Sequence, residues 1–179
     1  MTPGGFCDLL VTMNVLIIYH SRTGRTRELA NEIAEGAARA DAAEAIVRSA
    51  DEVTRDEFVA ADAVIAGSPV YFGTMTAELK SVFDKFVGTR RKMEGKVGAA
   101  FATSGHHTGG KETTMMSIIQ AFLIYGMIIV GDPLDTGGHY GIGFSGEMTD
   151  ELRDQAVRFG ERVARIAAAV ASSRSQSAS

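Results

Sequence analysis

The sequence predicts an α/β protein: a doubly wound, five-stranded parallel sheet with helices on both faces, three α/β/α layers in all. Three observations predict it. Five short β-rich runs stand at 15–19, 45–48, 63–66, 97–102 and 127–130, and several are almost continuously apolar, as strands covered on both faces are. Segments of helical spacing lie between and after them. The turns after the first, third and fourth runs are rich in Gly, Ser and Thr. The bulk numbers agree, since 179 residues with 45% hydrophobic and 22% charged content suit one globular domain.

The first strand reads Val15, Leu16, Ile17, Ile18, Tyr19 and leads into a helix expected at 26–40. The second strand precedes a short helix at 54–60, the third a helix at 75–87, and the fourth a helix at 111–125. The last helix is expected at 150–169, where Leu152, Ala156, Phe159, Val163 and Ile166 recur at three- and four-residue steps. Right-handed crossovers through such an alternation give the flavodoxin-like strand order 2-1-3-4-5. Residues 1–12 are expected to form a flexible leader, 13–170 the domain, and the Ser-rich 171–179 a disordered tail.

Several function classes are excluded. A net charge of −4 makes no case for nucleic acid or an anionic membrane, and it is modest for an electron carrier that docks on basic partners. The one cysteine, Cys7, rules out an intrachain disulfide and any Cys-based metal cluster. No apolar run reaches the roughly 18 residues of a membrane span. A cytoplasmic location is the simplest expectation.

In sheets of this order a ligand sits outside the carboxyl ends of the strands, where the order reverses. The turn after strand 1 holds Ser21, Arg22, Thr23, Gly24, Arg25 and Thr26. It is neither a dinucleotide fingerprint nor a P-loop. It combines three hydroxyls and a glycine at a helix N-terminus, where unpaired N–H groups and the helix dipole favour an anion such as phosphate. The plainer alternative is a turn in which Thr26 only caps the helix. Arg22 and Arg25 either touch that phosphate or, the plainer alternative, project to solvent or a ligand rim.

The turn after strand 3 holds Pro69, Val70, Tyr71, Phe72 and Gly73. Its aromatics offer stacking surface to a flat ring, although Phe72 is expected to be a core residue. The turn after strand 4 holds Thr103, Ser104, Gly105, His106, His107, Thr108, Gly109 and Gly110. Its glycines let backbone N–H groups approach a ligand. A metal site on the adjacent histidines is rejected, because sequence neighbours seldom converge on one ion. Met115, Met116, Ile118 and Ile119 are expected in the core. The basic run Arg90, Arg91, Lys92 is expected to be solvated, with attraction of nicotinamide phosphates as the alternative.

These motifs, with Glu112, Thr113 and Thr114 and the run 126–130, resemble the NAD(P)H:quinone oxidoreductases once named tryptophan-repressor-binding protein. The resemblance covers about residues 14–170. It implies FMN held by 21–26 at the phosphate, by 69–72 at the ring and by 103–110 at the ring edge. It also implies that Tyr125, standing at the family's histidine position, reaches the flavin. The loop Gly137, Gly138, His139, Tyr140, Gly141 would close over the flavin, from a neighbouring subunit of a homodimer or homotetramer. Two departures stand out: the chain lacks the family's tryptophan in 87–93, and the insertion after strand 5 is shorter.

The resemblance implies two-electron transfer from NADH or NADPH through FMN to a small quinone-like acceptor. His106, His107, His139 and Tyr140 are the candidates for a proton relay or substrate pocket. An azo or nitro acceptor is a near neighbour of this reading. The rival is a flavodoxin-type electron carrier acting with protein partners. A flavin-free receiver domain is disfavoured, because no acidic cluster follows strand 1.

Overall fold

The computed structural model describes residues 12–177, and the side chains of 12–176. The elements are β1 (Met13–Tyr19), α1 (Arg25–Ala37), β2 (Ala43–Ser49), α2 (Arg55–Ala60), β3 (Ala63–Pro69), α3 (Ala77–Lys85), α4 (Arg90–Met93), β4 (Val97–Ser104), α5 (Lys111–Ile124), β5 (Ile128–Ile129), β6 (Gly141–Ser145) and α6 (Asp150–Ser177). The parallel sheet runs β2-β1-β3-β4-β5, with β6 also paired to β4. The expected order is therefore the observed one.

Alternation along the strands makes two cores. Val15, Ile17, Ile65 and Phe101 face α1 and α6, while Leu16, Ile18, Val64 and Ala100 face α2, α3 and α5. Every residue of β4 is buried, which places that strand at the centre of both. Met115, Ile118 and Ile119 are buried as expected, and Met116 packs partly buried against the same cluster. α2 begins with a capping box between Thr54 and Glu57. Helices α1 and α6 cross at glycines: a Cβ on Gly36 would lie 1.9 Å from the Val157 carbonyl, and one on Gly160 2.0 Å from that of Ile33. Arg153 then ties α6 to Glu28 and Glu32 of α1.

Two expectations change. The fifth strand is split. β5 pairs with Val97 and Gly98 low on β4, and β6 pairs with 100–104 above it. Between them an excursion folds around the buried Asp132 carboxylate, which accepts from the N–H groups of Gly138, His139 and Gly141 at 2.9, 2.6 and 3.2 Å. The second correction concerns the tail. Residues 171–177 continue α6 instead of being disordered, with the Ser172 and Ser175 hydroxyls bonded to carbonyls four residues back. The alanines at 167–169 and 171 carry high helix propensity. The leader with Cys7 lies outside the described residues, except for exposed Thr12. Among the described residues no helix is long and apolar enough to cross a membrane.

Candidate functional site

The three turns meet at the carboxyl end of the sheet and enclose a cavity of about 330 Å³. Its lining comes from Arg22, Thr23, Arg25 and Thr26 of the first turn, Pro69, Val70 and Tyr71 of the second, and Thr103, Ser104 and Gly105 of the third. Residues up to 83 positions apart are thus gathered into one place by the strand order.

The first turn is organised around Gly24, which takes a left-handed φ of 92° and donates its N–H to Ser21 Oγ at 3.1 Å. α1 starts at the next residue, so the N–H groups of Arg25, Thr26 and Arg27 have no intrahelical acceptor. Thr26 is buried, and its hydroxyl pairs with that of Thr103 at 2.8 Å. This bond ties the first turn to the end of β4. Because each hydroxyl is both donor and acceptor, one proton of the pair stays available to a ligand. Arg22 and Arg25 are exposed where they line the cavity.

The second turn is a two-residue hairpin. Tyr71 and Thr74 exchange backbone bonds at 3.2 and 3.1 Å, and Phe72 and Gly73 between them take φ of 52° and 77°. Phe72 corrects the sequence expectation: it is fully exposed, not core. The turn points its side chain outward, and a phenylalanine at positive φ is held there against steric preference. The base of this turn is fixed by Val70 N–H to Thr103 O at 2.7 Å and by Thr76 N–H to Ser68 Oγ at 2.9 Å.

The third turn bonds to itself. Ser104 Oγ donates to the His106 carbonyl at 2.6 Å, Gly109 N–H donates to the same oxygen at 3.0 Å, and Lys111 Nζ reaches the His107 carbonyl at 2.7 Å. The rings of His106 and His107 lie 4.1 Å apart and are exposed. Thr108, Gly109 and Gly110 complete the turn, and Gly110 sits against Gly73. Among the described residues no group of three or more metal-ligating side chains occurs.

Three sequence-designated positions lie elsewhere. Tyr125 ends α5 at the opposite, amino end of the sheet, buried with its hydroxyl donating to Phe83 O at 2.7 Å. His139 and Tyr140 sit in the edge excursion. Gly141 pairs with Ala100, four residues below the Ser104 level, or about 13 Å from the cavity's rim. Within one chain they do not line it. Arg90, Arg91 and Lys92 precede β4, a strand's length from the cavity and so on the order of 20 Å away; they do not line it.

His20 is a residue the sequence reading passed over. It follows β1 directly, its buried Nδ1 has no hydrogen-bond partner, and Glu78 Oε2 lies 3.7 Å away. Its place immediately before Ser21 was the available signal. Asp132 was missed too, because a lone Asp-Pro reads as an ordinary turn.

The arrangement suits a phosphorylated planar ligand: helix N–H donors without acceptors, the partly exposed ring of Tyr71 and backbone edges line one cavity. The chain matches the family described as NADPH-dependent FMN reductase over residues 48–137. It is 33% identical over 156 residues to a flavodoxin of Aquifex aeolicus, covering 84% of each. It is also 33% identical over 184 residues to an NAD(P)H dehydrogenase (quinone) of Archaeoglobus fulgidus, covering 86% of this chain and 96% of that one. A flavodoxin, WrbA-like protein from Agrobacterium tumefaciens superposes with a TM-score of 0.74 at 27% identity, covering 87% of this chain and 97% of that one.

Proposed function

The chain belongs to the flavodoxin-like NAD(P)H:quinone oxidoreductase family, and from that premise we propose that it moves two electrons from NADH or NADPH to a quinone-like acceptor. FMN is its cofactor, and when bound it supplies the redox chemistry, which no side chain can. The observation that carries the reading is the convergence of three turns on one cavity that combines phosphate-type donors with an aromatic side chain.

The residues present fit the group. The N–H groups of Arg25 and Thr26 and the hydroxyls of Ser21 and Thr23 would hold the phosphate. Tyr71 would form the ring's wall, with Pro69 and Val70 beside it, and the backbone of 103–105 would meet its polar edge. Phe72, fully exposed on the next residue of the hairpin, would offer its ring to a planar acceptor. His106 and His107, exposed on the neighbouring turn, would pass protons to the acceptor. His139 and Tyr140 can join a site only in a neighbouring copy, so their reading as pocket residues goes with a homodimer or homotetramer.

The test is turnover. FMN-loaded protein should oxidise NADH or NADPH when benzoquinone is present. No turnover with either donor would remove the acceptor chemistry and leave flavin binding standing. Likeness to the Aquifex flavodoxin favours a second reading, a one-electron carrier. A redox titration separates the two: one two-electron step supports the oxidoreductase, and two resolved one-electron steps support the carrier.

A further inference from the structure

A buried nitrogen without a partner calls for an explanation, and His20 holds one. The residue follows β1, and its backbone N–H donates to Gly67 O at 3.2 Å, which extends the β1–β3 pairing by one rung. Ile18 packs on the α2, α3 and α5 side of the sheet, and His20, two residues on, takes the same side. There its buried Nδ1 makes no hydrogen bond and lies 3.7 Å from Glu78 Oε2. Glu78 stands in the first turn of α3, just past Thr76, whose N–H is held by Ser68 Oγ at the base of the hairpin. Among the described residues no other cation lies within ion-pair distance of Glu78, since Lys80 pairs with Asp84 instead. The other charged or titratable groups on the segments bordering His20 are Arg22 in its own turn, Asp51 and Glu52 after β2, and Tyr71 on the hairpin. Glu52 is taken up by the N–H and hydroxyl of Ser49 at 3.3 and 2.8 Å.

A neutral imidazole gains little from a carboxylate at that distance, whereas an imidazolium donates to it and pairs with it. Resting on the reading of residues 21–26 as the phosphate turn, we infer that His20 is a positioning residue that takes up a proton when the adjacent turn is occupied and then clamps Glu78. An anion beside the imidazole favours its charged form. The proton comes from solvent, Nδ1–H donates to the Glu78 carboxylate, and the orphaned nitrogen is satisfied. The clamp draws the first turn of α3 towards the occupied turn, and with it the hairpin that carries Tyr71 and Phe72. Occupation of the phosphate turn thereby sets the aromatic wall for the ring, and the hold on the cofactor tightens as pH falls.

The experiment is a calorimetric titration of apoprotein with FMN near neutral pH, in two buffers of different ionisation enthalpy, which counts the protons bound with the cofactor. Wild type, His20→Gln and Glu78→Gln are compared, and circular dichroism checks that each is folded. The phosphate's own proton contributes equally to all three and cancels. Wild type should take up on the order of 0.3 proton more than His20→Gln, and its FMN affinity should fall about twofold more per unit rise in pH. Glu78→Gln should take up less than wild type and weaken FMN about threefold, the scale of a half-exposed ion pair. In NMR spectra of wild type the ring signals of His20, one of four histidines, should move to the positions of the charged form when FMN is added, a readout that needs no variant to fold beyond the one that assigns them. Equal proton counts in wild type and His20→Gln, or His20 signals that FMN leaves in place, would overturn the proton uptake. An uptake undiminished in Glu78→Gln would overturn the clamp. A wild-type protein indifferent to FMN would sink the underlying site reading instead.

Discussion

The two ends of the sheet hold the same kinds of residue and use them in opposite ways. At the carboxyl end Tyr71 is exposed on its hairpin, and the first-turn N–H groups of α1 have no acceptor. At the amino end Tyr125 is buried, its hydroxyl bonded to Phe83 O, with the rings of Phe58 and Phe83 at 5.5 and 6.2 Å. Burial pushes its pKa up to about 12. Lys96 at that end donates to the Val59 and Ala61 carbonyls at 2.5 and 2.8 Å, and burial lowers its pKa. Arg90 Nε donates to Ile124 O at 2.8 Å. The amino end also has the larger hollow, about 760 Å³. Volume is therefore a poor guide to the site. What marks the carboxyl end is donor capacity the chain leaves unused, which is what a ligand consumes.

The comparison breaks if amino-end changes alter ligand binding. Tyr125→Ala should cost roughly 3–5 kcal/mol of stability by chemical denaturation, with FMN affinity per folded molecule unchanged. The milder Tyr125→Phe should cost about 1–2 kcal/mol and carries a pH signature. The folded-state pKa is raised, so the tyrosine's contribution is complete below the unfolded value near 10 and falls away as pH climbs towards about 12. That component of the alkaline decline should be missing in the variant. At the carboxyl end Thr26→Val should cost about 1 kcal/mol, since it strands the Thr103 hydroxyl. It should also weaken FMN about tenfold, measured by titration. Phe72→Gly should leave stability equal or raise it by up to about 1 kcal/mol, because glycine accepts the positive φ freely, while the KM for benzoquinone rises. The smallest effect belongs to the triple change of Arg90, Arg91 and Lys92 to Ala. FMN affinity and the KM for NADPH should stay at wild-type values, and a shift in either would place the amino end in the binding machinery.

How much of this was legible in the sequence depended on how loudly each segment's physics speaks. β1, β3 and β4 are buried on both faces and therefore read as apolar runs, and the order of the sheet followed from them. The three turns were legible because glycine, hydroxyls and aromatics collect at strand ends. β6 was not, since Gly141, Ile142, Gly143, Phe144 and Ser145 make a short, glycine-interrupted run with weak strand propensity; β4's free upper edge, a tertiary circumstance, makes it a strand. Phe72 was assigned to the core because aromatics are usually buried, and only the hairpin geometry turns it out. Tyr125 was assigned by position in a motif rather than by chemistry, and its place at the end of α5 puts it at the wrong end of the sheet.

The divided outer strand gives this architecture a tolerant margin. β4 secures the lower half-strand on two residues and the upper on five, so the span from Val130 to Tyr140 is closed at both ends by main-chain pairing that does not depend on its own length. The entropy of closing a longer span grows only logarithmically, by about 0.6 kcal/mol per doubling. Lengthening, shortening or grafting sequence there would leave the rungs beside Ser104 in register, and with them the floor of the cavity. New recognition could be written on that flank without rebuilding what it serves.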